Sequence, residues 1–112
     1  MPNLNPTPDT PETLGVELSA IERSAVIEVL PYGTITKGQR GEELSDMEGM
    51  AKDVAAFSDD GRGVQTPALM KAAMEKAKAL GKLIVAHCED NSLLFGGYIH
   101  DGEDARPCGY ML

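Results

Sequence analysis

Cysteine is scarce: Cys88 and Cys108 do not form the dense, evenly paired pattern of a small secreted scaffold, which excludes a disulfide framework. No apolar run approaches the roughly twenty residues needed to cross a bilayer. The N-terminus, Met1-Pro2-Asn3-Leu4-Asn5-Pro6, has neither the basic start nor the apolar stretch of a signal peptide. A cytoplasmic protein is the expectation. Positive charge is also in deficit, with 10 Lys and Arg against 18 Asp and Glu and a formal net charge of −8. That balance argues against a nucleic-acid backbone or an anionic membrane surface as partner, and solubility is the simpler reading of it.

What is present is ordinary globular material: 112 residues, 42% of them hydrophobic, enough for one modest core. Thr10-Pro11-Glu12 reads as a helix start, with Thr10 as N-cap, Pro11 preset at the first helical position and Glu12 facing the positive end of the dipole. Leu14, Leu18 and Ile21 then share one face of a helix running to about Arg23. The β-branched run Ala25–Leu30, stopped by Pro31, Tyr32 and Gly33, predicts a strand. In a second unit, Leu44, Met47 and Met50 recur every three residues, and Ser45 with Glu48 has the form of a capping box, so a short helix ends near Lys52. Val54 to Phe57 follows as a strand delivering Ser58-Asp59-Asp60-Gly61 into a turn. The third unit repeats the opening signal as Thr66-Pro67. Leu69, Met70, Ala73, Met74, Ala77 and Leu80 trace a helical face, Gly81 stops it, and Leu83–Ala86 is continuous and apolar, as strands covered on both faces are.

Helix alternating with strand gives an α/β chain with parallel pairing and right-handed crossovers. Three such units make neither a closed barrel nor a finished open sheet, so residues 1–112 are expected to be one incomplete barrel segment, with 91–112 mostly loop.

Two strand ends carry metal-capable side chains. Asp60, in a tight turn before Gly61, can lean over the end of its strand; the competing reading is that Asp59 or Asp60 merely caps the turn, and the two should point in opposite directions. His87 closes an apolar strand, where an imidazole needs a hydrogen-bond partner or a metal; a satisfied core histidine is the commoner case. Cys88 would be a small buried residue, Glu89 and Asp90 either orient His87 or begin a loop, and His100 is a surface residue. Arg62 could meet an anionic substrate or be a solvated loop arginine. Asn3, on a proline-stiffened loop, could present its amide to a ligand or form a turn.

Taken together, Met1-Pro2-Asn3-x-x-Pro6, Val29-Leu30-Pro31-Tyr32-Gly33 with Ile35-Thr36-Lys37, Phe57-Ser58-Asp59-Asp60-Gly61 and Val85-Ala86-His87-Cys88-Glu89-Asp90 resemble the bacterial dihydroorotases of the amidohydrolase superfamily. The resemblance spans nearly the whole chain. It implies a distorted TIM barrel holding two zinc ions and interconverting dihydroorotate and N-carbamoyl-aspartate in pyrimidine biosynthesis. It further implies that Asp60 bridges the metals, His87 binds one of them and Asn3 hydrogen-bonds the substrate, with hydroxide activated by the metals attacking the ring amide carbonyl.

The chain also departs from that family. The His-x-His pair of the first barrel strand, a further metal-binding histidine and a catalytic aspartate are missing, so the resemblance implies a central segment that is inactive alone. Allantoinase and dihydropyrimidinase use related barrels but generally bridge their metals with a carboxylated lysine, where this chain has Asp60. A non-catalytic barrel fragment or structural partner is the alternative from another class. A slice of parallel sheet has two unpaired edges and is expected to self-associate.

Overall fold

The computed structural model describes residues 1–97 and Glu103. Three helix-then-strand units appear in order: α1 (Pro11–Ser24), β1 (Tyr32–Gly33), α2 (Met47–Met50), β2 (Ala56–Phe57), α3 (Pro67–Ala79) and β3 (Leu83–Ile84). The strands form one sheet in the order β1-β2-β3, and both pairings are parallel. Tyr32 faces Ala56 and Gly33 faces Phe57; on the other side, Ala56 faces Leu83 and Phe57 faces Ile84. The α/β class and the parallel pairing are therefore as the sequence indicates.

Local chemistry explains where the long helices begin. Thr10 is extended, its hydroxyl accepts from the Thr13 amide, and Thr13 returns the bond to the Thr10 amide, with Pro11 filling the first helical position. Thr66 repeats the device for α3, accepting from Leu69 N at 3.2 Å. After α3, Gly81 adopts φ +67°, a left-handed conformation that ends the helix with little steric cost. The short α2 departs from expectation: Asp46, not Ser45, is its cap, accepting from Gly49 N at 3.0 Å. Ser45 is buried and turns the other way, donating to the Thr34 carbonyl at 2.5 Å.

The strand expected at Ala25–Leu30 does not form. Those residues are irregular, with Val26 97% and Ile27 76% exposed, and pairing begins only at Pro31, whose carbonyl accepts from Ala55 N. A β-branched run makes a strand only where a partner meets it, and here the neighbouring chain arrives only at Pro31, after the apolar run has ended. β3 is likewise shorter than its apolar run. It is also an edge: Leu83 is 71% exposed, so the expectation of cover on both faces fails there. Met74 turns outward on α3, while Ala73 and Ala77 face inward.

The core gathers Leu14, Ile35, Met47, Met50, Val54 and Phe57 with Ala73 and Ala77, and Leu18, Leu44, Val64, Leu80 and Ile84 pack around it. Phe57 lies at its centre on the middle strand, fully buried. Gly33 opposite suits this close packing, because a Cβ there would lie 3.0 Å from the Phe57 ring and 3.1 Å from Met50 Cε, tighter than ordinary contact. Removing the ring by Phe57→Ala is expected to cost about 3–5 kcal/mol. In a core this small that loss should abolish the cooperative urea transition, and a sharp transition retained in the variant would contradict this account of the core.

Candidate functional site at the strand tips

The turn after β2 is built around two adjacent carboxylates with opposite fates. Ser58 N donates to Gly33 O at 3.0 Å, carrying the chain one step beyond the last paired residue. Asp59 then points inward and is 1% exposed. One of its oxygens accepts from Ile35 N at 2.8 Å and Thr36 N at 3.1 Å, and the other from the Thr36 hydroxyl. Asp60, the next residue, lies in the turn and is not sealed in the same way. It is half-buried, and no hydrogen bond to its carboxylate is found among the described residues. Its carbonyl accepts from Gln39 Nε2 at 3.4 Å. The turn closes as Arg62 N and Gly63 N both donate to Asp59 O, with Gly61 and Gly63 in left-handed conformations.

Three residues beyond Phe57 lies Asp60, and three beyond its partner Ile84 lies His87. The ladder reaches Val85, whose amide donates to Phe57 O at 2.9 Å, and after it the two chains continue as loops. His87 is neither in a strand nor in the core: its side chain is 37% exposed, and its Nε2 lies 3.5 Å from Glu89 Oε2. A half-exposed imidazole beside a carboxylate corrects the picture of a core histidine closing a covered strand. Cys88 is exposed, not buried, because the strand stops before its alternation could turn it inward. Asp90 caps the short 3-10 turn Asn91–Leu93, and the Ser92 hydroxyl and then the Ser92 amide hold its carboxyl below the ordinary range. Of the two acids after Cys88, Glu89 thus faces the imidazole and Asp90 starts the loop.

The loops following β1, β2 and β3 enclose a polar cleft of about 470 Å³ lined by Gln39, Arg40, Glu42, Arg62 and Glu89 among others. It lies past the carboxyl ends of the strands, the position in which parallel sheets place ligand sites. Arg62 is exposed on its wall. Asn3 is exposed as well, and no hydrogen bond joins its side chain to Asp60 or His87 among the described residues. The segment after it is anchored near the same end of the sheet, because Thr34 N donates to Pro8 O at 3.0 Å and Gly38 N to Asp9 Oδ2 at 2.9 Å. A second groove of about 480 Å³, between α1 and Leu4–Pro6, is apolar and lies apart from the strand tips. His100 and Cys108, with the turn signals at 101–102, 107 and 109, lie outside the described residues.

Gln39 and Gln65 carry no signal in the sequence, yet both hold this end of the molecule together. Gln39 is a buried non-glycine residue at φ +54°, a conformation found disproportionately at functional sites. Gln65 donates toward Glu89 O and accepts from Asn91 N.

The oxygen of Asp60 and the nitrogen of His87 are donor types that suit zinc. Zinc prefers four ligands, and among the described residues no group of three or more His, Cys, Asp or Glu converges. At most half of a zinc site is therefore contributed by this part of the chain.

A family model described as Dihydro-orotase-like matches residues 1–112. The chain belongs to the dihydroorotase-like family. It is 54% identical over 109 residues to a dihydroorotase of Fusobacterium nucleatum, 51% identical over 111 residues to one of Bacillus licheniformis, and 50% identical over 110 residues to one of Staphylococcus epidermidis. Each match covers 97% of this chain and 26% of the relative, so the chain spans about a quarter of the length of the curated relatives it matches.

In this dihydroorotase-like chain the adjacent acids and Glu17 each leave a measurable mark on stability. Asp59→Ala strands the buried Ile35 and Thr36 donors and is expected to cost about 3 kcal/mol or more, whereas Asp60→Asn should stay within about 0.5 kcal/mol. Urea titration of the two variants side by side measures the asymmetry, and equal costs would refute the division of labour. Glu17 lines the apolar groove, and its Oε2 is buried without a partner among the described residues. Burial raises its pKa, and the Met1 amino group pulls it partly back. The folded chain thus holds this proton more tightly than the unfolded one, a contribution to stability present below the ordinary Glu pKa and lost as pH rises through the raised value. Glu17→Gln is expected to raise Tm by roughly 1–3 °C at pH 7, where solvent still screens much of the charge, and to leave it unchanged near pH 4. A scan of Tm against pH reads this directly; an equal shift at both pH values would contradict it.

Proposed function

We propose that this chain is a central segment of a zinc-dependent dihydroorotase, an enzyme of TIM-barrel form in the cytoplasm that interconverts dihydroorotate and N-carbamoyl-aspartate in pyrimidine biosynthesis. The observation that carries this reading is the matched position of Asp60 and His87 just past the tips of two adjacent parallel strands, in a chain whose relatives bear the name dihydroorotase. In this reading Asp60 and His87 would help hold the zinc, Glu89 would orient the His87 imidazole, and Asn3 would hydrogen-bond the substrate. Bound zinc would supply Lewis acidity and a nucleophile near neutral pH. The part played by these residues is geometric: buried Asp59 closes the turn that carries Asp60, and Arg40 and Arg62, alongside Glu42 and Glu89, line the neighbouring cleft, where an arginine could meet an anionic substrate.

Two ligands leave most of a zinc ion's coordination sphere to water, so the chain alone binds the metal weakly and does not turn over substrate. Allantoinase and dihydropyrimidinase are disfavoured by Asp60 standing where those enzymes generally use a carboxylated lysine. Among the described residues β1 and β3 are the outer strands of the sheet, and Val26, Ile27, Leu30 and Leu83 are exposed, so copies of the chain self-associate through these edges.

Zinc titration by calorimetry is expected to show weak binding that Asp60→Ala or His87→Ala abolishes, while dihydroorotate with added zinc stays closed in the presence of the chain. Zinc uptake unaffected by either substitution would sink the metal assignment, and robust ring opening would overturn the claim of inactivity. Sedimentation velocity should show concentration-dependent association; a monodisperse monomer would remove the edge-pairing proposal.

A further inference from the structure

Past Val85 the sheet no longer holds β2 and β3 together, yet the two candidate ligands both lie beyond that point. Among the described residues, the hydrogen bonds linking residues 58–66 to residues 86–91 all come from the side chain of Gln65. Its Nε2 donates within its own turn to Arg62 O at 3.0 Å and Gly63 O at 3.1 Å, and across the gap to Glu89 O at 3.4 Å. Its Oε1 accepts from Asn91 N at 3.1 Å. Both ends of one amide are thus used, one anchored on the Asp60 turn and both reaching the His87 loop. Gly63 brings the two backbones into contact: a Cβ there would fall 2.8 Å from His87 O and 2.9 Å from Glu89 O. Its φ of +67° requires the same absence of a side chain.

We propose that Gln65, seated by the close approach at Gly63, is a positioning residue that holds the His87 loop at a fixed distance from Asp60. The inference rests on the metal reading above for its purpose, but not for its geometry. An amide is suited to the task because it joins donor and acceptor on one rigid plane. It bonds a carbonyl and an N–H two residues apart, which fixes both the height and the tilt of the loop. Metal sites depend on such outer contacts to keep their ligands aligned, and losing one typically weakens binding by about 10–100-fold.

The isosteric variant Gln65→Met keeps the volume of the side chain and removes its hydrogen bonds. In the isotope-labelled chain, amide exchange at Asn91 and the shift of the His87 imidazole resonance during zinc titration are measured for wild type and variant, with His87→Ala identifying the resonance. The expected result is exchange at Asn91 faster by about fivefold or more and zinc binding at His87 weaker by about tenfold, with Tm moved by only a few degrees. Zinc affinity within twofold of wild type would overturn the positioning role, whatever the change in Tm. A wild-type chain that takes no zinc at His87 sinks the metal reading instead; in that case faster Asn91 exchange in the variant still supports the clasp, and unchanged exchange overturns it.

Discussion

A carboxylate sealed from water must have its oxygens occupied, and Asp59 meets that demand with three donors drawn from a loop more than twenty residues earlier in the chain. This one group ties the chain leaving β1 to the chain leaving β2. Ile35, which donates to it, is itself a core residue, so the anchor and the apolar packing hold each other in place. The same constraint bears on Asp60. With Asp59 committed inward, its neighbour Asp60 is left half-buried in the turn, with no bond to its carboxylate among the described residues. The chemistry proposed for the tips thus depends on a residue that performs none of it.

The helical half of the fold was legible because its signals are local. Thr10-Pro11, Thr66-Pro67 and Gly81 act through bonds and dihedral angles within one turn, and the helices start and stop where those residues stand. Strands are different, because a strand exists only against its partner. Ala25–Leu30 has the composition of one and lies exposed, while Tyr32–Gly33, with a glycine and no β-branched residue, pairs with Ala56–Phe57. Ser45 has a good cap sequence and is diverted by the Thr34 carbonyl, an acceptor eleven residues away that no local window reveals.

At the site, the residue types were readable and the supports were not. The sequence suggests different fates for Asp59 and Asp60, but which of them is buried depends on the β1 loop. Gln39 and Gln65 look like ordinary polar loop residues until their amides are seen against Asp60 O, Glu89 O and Asn91 N. His87 follows β3, as its sequence context suggests, but lies in other surroundings than that context implies. The apolar run before it suggests burial, whereas β3 is an edge and the imidazole is accordingly half-exposed.

The repeated threonine-proline pair has a bearing on how such a chain can change over evolutionary time. Each pair locks the start of its helix from within, so the preceding loop ends at a hard boundary that owes nothing to the loop's own composition. Between Phe57 at the centre of the core and Thr66 at the head of α3, eight residues are suspended from two firm posts. Substitution among the outward-facing members of that span, Arg62 above all, can retune the character of the cleft without shifting the helix behind it or the strand before it.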